Sequence, residues 1–199
     1  MLVSLKPLME DAMKKGYAVG AFNCPNMESV MAIIQAAEET NSPVILNYAE
    51  VHGNLISMED IAPVMLQFAK KASVPVCVHL DHGESIESCI KAIQLGFSSV
   101  MIDASGSDYE ENIRITAEVV RLAHAVDVTV EAELGKVGGK EEEVVAESFY
   151  ADKNECLKMV QEAKIDALAP ALGSQHGFYK GEPKLGLQEM KEIHDLVKL

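Results

Sequence analysis

Tryptophan is absent from this 199-residue chain, and aromatic residues as a whole make up only 5% of it. Little is therefore available to stack against nucleic-acid bases. Positive charge is also scarce: 17 Lys and Arg face 31 Asp and Glu, for a formal net charge of −14. Such a balance argues against sequence-independent binding of DNA or RNA, which draws its affinity from neutralised phosphates. It does not exclude a phosphorylated metabolite, because a metal ion and a few local cations invert the field at one site. No apolar run approaches the ~20 residues that cross a bilayer. The segment Met1 to Lys15 is interrupted by Lys6, Pro7, Glu10 and Asp11, unlike a signal peptide. No two cysteines form a C-x-x-C pair; Cys24, Cys77, Cys89 and Cys156 read as separate buried thiols in a reducing compartment. The expectation is a cytoplasmic protein with neither nucleic acid nor membrane as a partner.

Hydrophobic residues make up 48% of the chain, enough for a sizeable core. They fall into short β-rich runs at 18–23, 43–49, 75–82, 99–103, 128–134 and 167–173, separated by amphipathic stretches. Val30, Ile33, Ile34 and Ala37 repeat at helical spacing behind a candidate cap, Asn26. Ile61, Val64, Met65 and Phe68 do the same. There, placing Pro63 in the first turn favours Asp60 over Ser57 as the cap. Ile86, Cys89, Ile90 and Ile93 follow Ser85 and stop at Gly96. Thr116, Val119, Val120 and Ala123 mark another helix, and two more are expected near 153–163 and 187–197. Six β-then-α units in succession predict a parallel sheet with right-handed crossovers, in one domain covering 1–199. Polar residues close most strands: Asn23, Asp81, Asp103, Glu133, and His176 just past the last. That favours an α/β fold of the (β/α)8 barrel kind, which draws its site from several strand tips, over a doubly wound sheet with one switch point. The chain supplies six of the eight units of such a barrel.

The stretch Val74-Pro75-Val76-Cys77-Val78-His79-Leu80-Asp81-His82-Gly83 concentrates the chemistry. Alternation puts His79 and Asp81 on one face of the strand, while His82, where the strand gives way to Gly83, need not follow it. A lone Asp-His pair is more often a turn with a helix cap. Ser85 is the better cap here, which leaves Asp81 and His82 for function. Catalytic zinc sites use three protein ligands and an open position. His82 and His176, both expected at the rim, are candidates for two, with a satisfied polar group as the plainer reading of either; Asp103 and Glu133 are candidate oxygen ligands, with a cap or rim salt bridge as the plainer alternative. Further on, Val130-Glu131-Ala132-Glu133-Leu134-Gly135-x-x-Gly138-Gly139-x-Glu141 sets two glutamates on one strand face. Its glycines free a loop to carry Glu141 and Glu142 over a site and away again. Glu143 reads as solvated.

The patterns V-P-V-x-V-H-L-D-H-G and E-x-E-L-G-x-x-G-G-x-E closely resemble, in the right order, two signatures of the class II, zinc-dependent ketose-bisphosphate aldolases. Gly20-Ala21-Phe22-Asn23, Asp103-Ala104-Ser105 and Gly173-Ser174-Gln175-His176-Gly177-x-Tyr179-Lys180-Gly181 resemble further family stretches, so the resemblance spans essentially the whole chain. It implies a (β/α)8 barrel, Zn²⁺ with room for a monovalent cation, and a homo-oligomer, dimer or tetramer. It also implies reversible cleavage of a ketohexose 1,6-bisphosphate to dihydroxyacetone phosphate and glyceraldehyde 3-phosphate. By position His82 and His176 match zinc ligands, and Asp103 and Glu133 match alternative metal positions or groups just behind them. Asp81 matches the acid/base at the aldehyde oxygen, and Glu141 the loop acid that exchanges the proton on the dihydroxyacetone phosphate carbon. Gly177 matches a backbone contact to substrate and Asn23 a polar one. Lys180 joins them as a substrate contact, since Lys180 and Lys184 are the nearest obvious cations.

The chain also departs from the family pattern. The family's third zinc histidine, in an H-G-G-S-G-like stretch, and its N-V-A-T-like phosphate loop have no counterpart before Leu199. Ala49 stands where many members carry serine, and Lys140 where an acid is common. The rival expectation is an inactive truncated member, or a fragment that needs another chain to complete the barrel. A metal-dependent barrel lyase for a non-phosphorylated substrate is a third reading. Fructose and tagatose bisphosphate, which differ at C4, both remain open.

Overall fold

The computed structural model of the protein describes residues 1–135, 150–175, 178–179 and 181–199. Six strands pair in parallel: β1 (Gly20–Asn23), β2 (Val44–Ala49), β3 (Val76–Gly83), β4 (Ser99–Ile102), β5 (Thr129–Leu134) and β6 (Ala167–Pro170). The α-helices among the described residues are α1 (Leu5–Lys15), α2 (Met27–Glu39), α3 (Met58–Lys71), α4 (Ile86–Leu95), α5 (Tyr109–His124), α6 (Lys153–Ala163) and α7 (Leu187–Val197). A 3-10 turn, Glu50–Asn54, follows β2.

Strand order follows chain order without reversal. Right-handed crossovers that always step the same way put all their helices on one face. Helices α2 to α7 accordingly pack each on the next as one layer. A doubly wound sheet would reverse its order at a switch point, so that alternative is set aside. The sheet is a curled half-barrel wall.

Alternation along β3 separates its two faces. Val76, Val78 and Leu80 are fully buried beneath the helix layer, beside Val100, Ile102, Val130 and Ala132. Each buried Val, Leu or Ile side chain among them contributes about 1.5–3 kcal/mol relative to exposure. Cys77 points to the other face and joins Ile45 and, from α1, Leu5 and Leu8. The Leu5 N–H, one of the donors a helix start leaves unpaired, is taken by Thr129 Oγ1 at 3.1 Å. Helix α1 thus covers the inner face near the strand N-termini. His79, Asp81, Glu131 and Glu133 stand further along that same face, toward the strand C-termini.

One sequence expectation needs correction. The cap of α3 is Ser57, not Asp60: Ser57 Oγ accepts the Asp60 N–H at 3.2 Å and its hydroxyl donates to the Asp60 carboxylate at 2.7 Å. This reciprocal pair outweighs the preference for Pro63 in the first turn. Pro63 sits deeper in the helix, on its exposed side. The segment carrying Pro7, read only as unlike a signal peptide, is helix α1; Pro7 is its third residue, where no intrahelical N–H is required. Other expected caps form as read. Asn26 accepts from Ser29 N, Ser85 accepts from Ser88 N, and Gly96 ends α4 at φ 98°.

Candidate metal and acid–base site

β3 and β4 slip register between Leu80 and Gly83. At that slip His82 takes φ 48°, a left-handed conformation that costs a non-glycine residue about 1–2 kcal/mol. A side chain at Gly83 has no room, because its Cβ would lie 2.6 Å from the Met101 carbonyl oxygen. The Gly83 carbonyl accepts the Asp103 N–H at 2.9 Å. The imidazole of His82 is presented toward the next two strands. Its Nδ1 lies 3.0 Å from Asp103 Oδ2 and 3.7 Å from Glu133 Oε2.

The two carboxylates are themselves held. Asp103 Oδ1 accepts the Ser105 N–H at 3.1 Å and the Ser105 hydroxyl at 2.6 Å, which turns Oδ2 to His82. Glu133 is buried on β5. Its backbone carbonyl accepts from Asn112 Nδ2 at 3.0 Å, and Asn112 Oδ1 accepts from Thr116 Oγ1 at 3.1 Å. A buried amide with both ends satisfied avoids its desolvation penalty and fixes the strand tip in place.

Charges at this cluster push one another apart. The hydrogen bond to Asp103 raises His82 to about 9, against the cost of burial. The same bond draws Asp103 down to about 2. Glu133 moves the other way, to about 7, because burial and then the Asp103 charge disfavour its ionised form. Glu131 also rises to about 7, through burial and the charge of Asp81. Beneath them, His79 Nδ1 meets Ser99 Oγ at 2.8 Å and its Nε2 lies 3.5 Å from Glu131 Oε2. Burial lowers His79 to about 3, so this imidazole stays neutral.

One nitrogen of His82 and one oxygen each of Asp103 and Glu133 lie within 4.8 Å of one another. An N,O,O donor set of this size suits a zinc ion. A cation would also answer the repulsion that forces Glu133 upward, and its binding must displace the proton on His82. The chemistry of the donor set therefore fits the metal expected from the sequence.

Of the expected site residues, the structure brings His82, Asp103 and Glu133 together. Asp81 is close enough for its charge to raise His82 and Glu131. Asn23 ends β1, its Cα paired with that of Asn47, on the same rim but outside this cluster. Glu141, His176, Gly177 and Lys180 lie outside the described residues. Sequence reasoning did not find Ser105 or Asn112 as supports. Asn112 had a readable signal: it stands one turn before Thr116 on the buried stripe of α5.

An imidazole and carboxylates gathered at the C-terminal tips of a parallel sheet define an acid–base centre of the kind α/β enzymes use. Residues 3–199 match the family Fructose-bisphosphate aldolase class-II. A probable fructose-bisphosphate aldolase of Bacillus subtilis (strain 168) is 54% identical over 196 residues, 96% of this chain and 69% of that protein. A fructose-bisphosphate aldolase of Staphylococcus aureus (strain Mu50) is 52% identical over 96% of this chain and 68% of its own length. The crystal structure of the YdjI aldolase from Escherichia coli K12 superposes with a TM-score of 0.91 at 39% identity, covering 100% of this chain and 71% of that one. This chain belongs to the class II fructose-bisphosphate aldolase family, and it is a carbon–carbon lyase of that family.

Proposed function

We propose that the protein is a zinc-dependent aldolase that cleaves a ketohexose 1,6-bisphosphate, fructose or tagatose, to dihydroxyacetone phosphate and glyceraldehyde 3-phosphate. The observation that carries this reading is the convergence of His82, Asp103 and Glu133 beside Asp81 at the strand tips. We further read the six units as part of one (β/α)8 barrel domain, working in the cytoplasm as a homo-oligomer, dimer or tetramer.

Aldol cleavage leaves negative charge on a carbon next to a ketone. A bound zinc ion supplies a Lewis acid at that ketone oxygen. His82, with Asp103 or Glu133, would hold the ion, and His176 belongs to the same proposed ligand set. Asp81 takes the proton from the C4 hydroxyl as the C3–C4 bond breaks, and returns it in the reverse direction. Glu141 protonates the carbon left behind. One carboxylate at a strand tip and a second, Glu141, expected from the sequence to be carried by a glycine-flanked segment, divide these two transfers. Asn23, Lys180 and the Gly177 backbone are proposed to orient the phosphorylated substrate.

Chelation with verified metal removal, followed by zinc add-back, tests the metal. Turnover is expected to vanish and return; turnover unchanged by removal would exclude the zinc mechanism. Parallel assays with fructose and tagatose 1,6-bisphosphate, both coupled to triose phosphate release, determine the C4 preference.

A further inference from the structure

We propose that Glu50 is a positioning residue for His82, tying down the segment that follows the strand end where that imidazole is presented. The proposal rests on the aldolase reading above only for the consequence at the metal. Its test separates the two.

Glu50 follows Ala49, whose Cα is paired with that of Asp81 across β2 and β3. From there its carboxylate reaches past the end of β3. Oε2 accepts the Glu84 N–H at 2.7 Å, and Oε1 accepts the Ser88 hydroxyl at 2.5 Å. Both oxygens are spent on the segment that follows His82. Helix α4 does not need them to begin, because Ser85 already caps it by accepting from Ser88 N at 3.1 Å.

The Glu84 N–H belongs to the same peptide unit as the Gly83 carbonyl, and that carbonyl accepts the Asp103 N–H at 2.9 Å. One peptide plane is thus gripped at both ends, by Asp103 on β4's side and by Glu50 on β2's side. This matters because of what precedes it. His82 sits at φ 48°, a conformation that persists only where the surroundings over-determine it. Gly83, with no Cβ, is the residue most able to absorb a relaxation of His82. Fixing the peptide beyond Gly83 removes that outlet and keeps the imidazole facing Asp103 and Glu133.

The test uses the whole natural protein, first metal-free and then with zinc. In Glu50→Ala, hydrogen exchange at the Glu84 amide is expected to speed up at least ~10-fold while α6 is unchanged. Zinc affinity, measured by competition with a chromogenic chelator, is expected to weaken ~10–100-fold, the usual effect of losing a group that orients a ligand. Glu50→Gln is the decisive partner. Its carbonyl still accepts from Glu84 N–H, and its amide donates to the Ser88 hydroxyl oxygen. It should stay within about threefold of wild type in both readouts, since the geometry of both contacts survives. Wild-type exchange and affinity in Glu50→Ala would overturn the proposal. So would a Glu50→Gln as impaired as Glu50→Ala, because the charge and not the tether would then matter. Should Glu50→Ala fail to fold, Ser88→Ala removes one of the two contacts and must show a smaller shift in the same direction. If the wild type takes up no zinc while Glu50→Ala still frees the Glu84 amide, the metal reading fails and the tether stands.

Discussion

His82→Asn is expected to lose zinc and, with it, aldol cleavage, while keeping the fold. The choice of asparagine follows from the backbone. His82 lies at φ 48°, and asparagine is among the few side chains that visit this region readily. Alanine would remove the same imidazole but lacks the short polar side chain that eases this region, confounding a lost ligand with a loosened strand end. In the asparagine variant Asp103 keeps its place, because Ser105 holds Oδ1 through both its N–H and its hydroxyl. The affinity loss should exceed the ~10–100-fold typical of losing a group behind a ligand. Competition with a chromogenic chelator gives the affinity, and urea melts of both variants separate the strain. An asparagine variant that binds zinc as tightly as wild type would remove His82 from the ligand set.

Much of the fold is legible because it is local. β3 is a run of β-branched and apolar residues, and its alternation alone separates Val76, Val78 and Leu80 from Cys77 and His79. Helix α5 shows its buried stripe at i, i+3, i+4 spacing, and Ser85 and Gly96 mark the ends of α4. What escaped depends on distant partners. Helix α1 buries Leu5, Leu8 and Ala12 at helical spacing, but Pro7 interrupts that pattern, and its first N–H finds its acceptor in Thr129, 124 residues away. The Glu50–Asn54 turn has no period to read, and Glu50 is anchored 34 and 38 residues downstream, at Glu84 and Ser88.

The site divides in the same way. Acids at the tips of β3, β4 and β5 follow from strand ends, so Asp81, Asp103 and Glu133 could be named in advance. Their convergence on one imidazole could not. It needs the register slip of β3 against β4 and the left-handed turn at His82, neither of which the residue types state. The opposite shifts of Asp103 and Glu133 also depend on depth. Glu133 is buried with a like charge beside it, whereas Asp103 is partnered by His82 and Ser105. Sequence gives both as acids of one kind, and packing makes them different.

Asp81→Asn is expected to cut aldol cleavage by ~10²–10⁴, the usual effect of losing a general acid/base, while leaving zinc affinity nearly unchanged. The separation of these effects follows from position. Asp81 stands beside the metal cluster but does not supply one of its three converging atoms. Its Cα is paired with that of Ala49, so the tip of β3 stays in register whichever side chain it carries. Asparagine preserves shape and hydrogen-bonding reach, yet it cannot take the proton from the C4 hydroxyl. The variant also removes a charge that helps raise Glu131 and His82. Both should therefore titrate lower, a change visible in the His82 imidazole resonances of the metal-free protein. Exchange of tritium from dihydroxyacetone phosphate does not need the C4 proton, so Asp81→Asn should retain it. Glu141→Gln should do the reverse at that carbon and slow the exchange. Cleavage at the wild-type rate in Asp81→Asn, or unaltered tritium exchange in Glu141→Gln, would show that the corresponding proton is carried by another group.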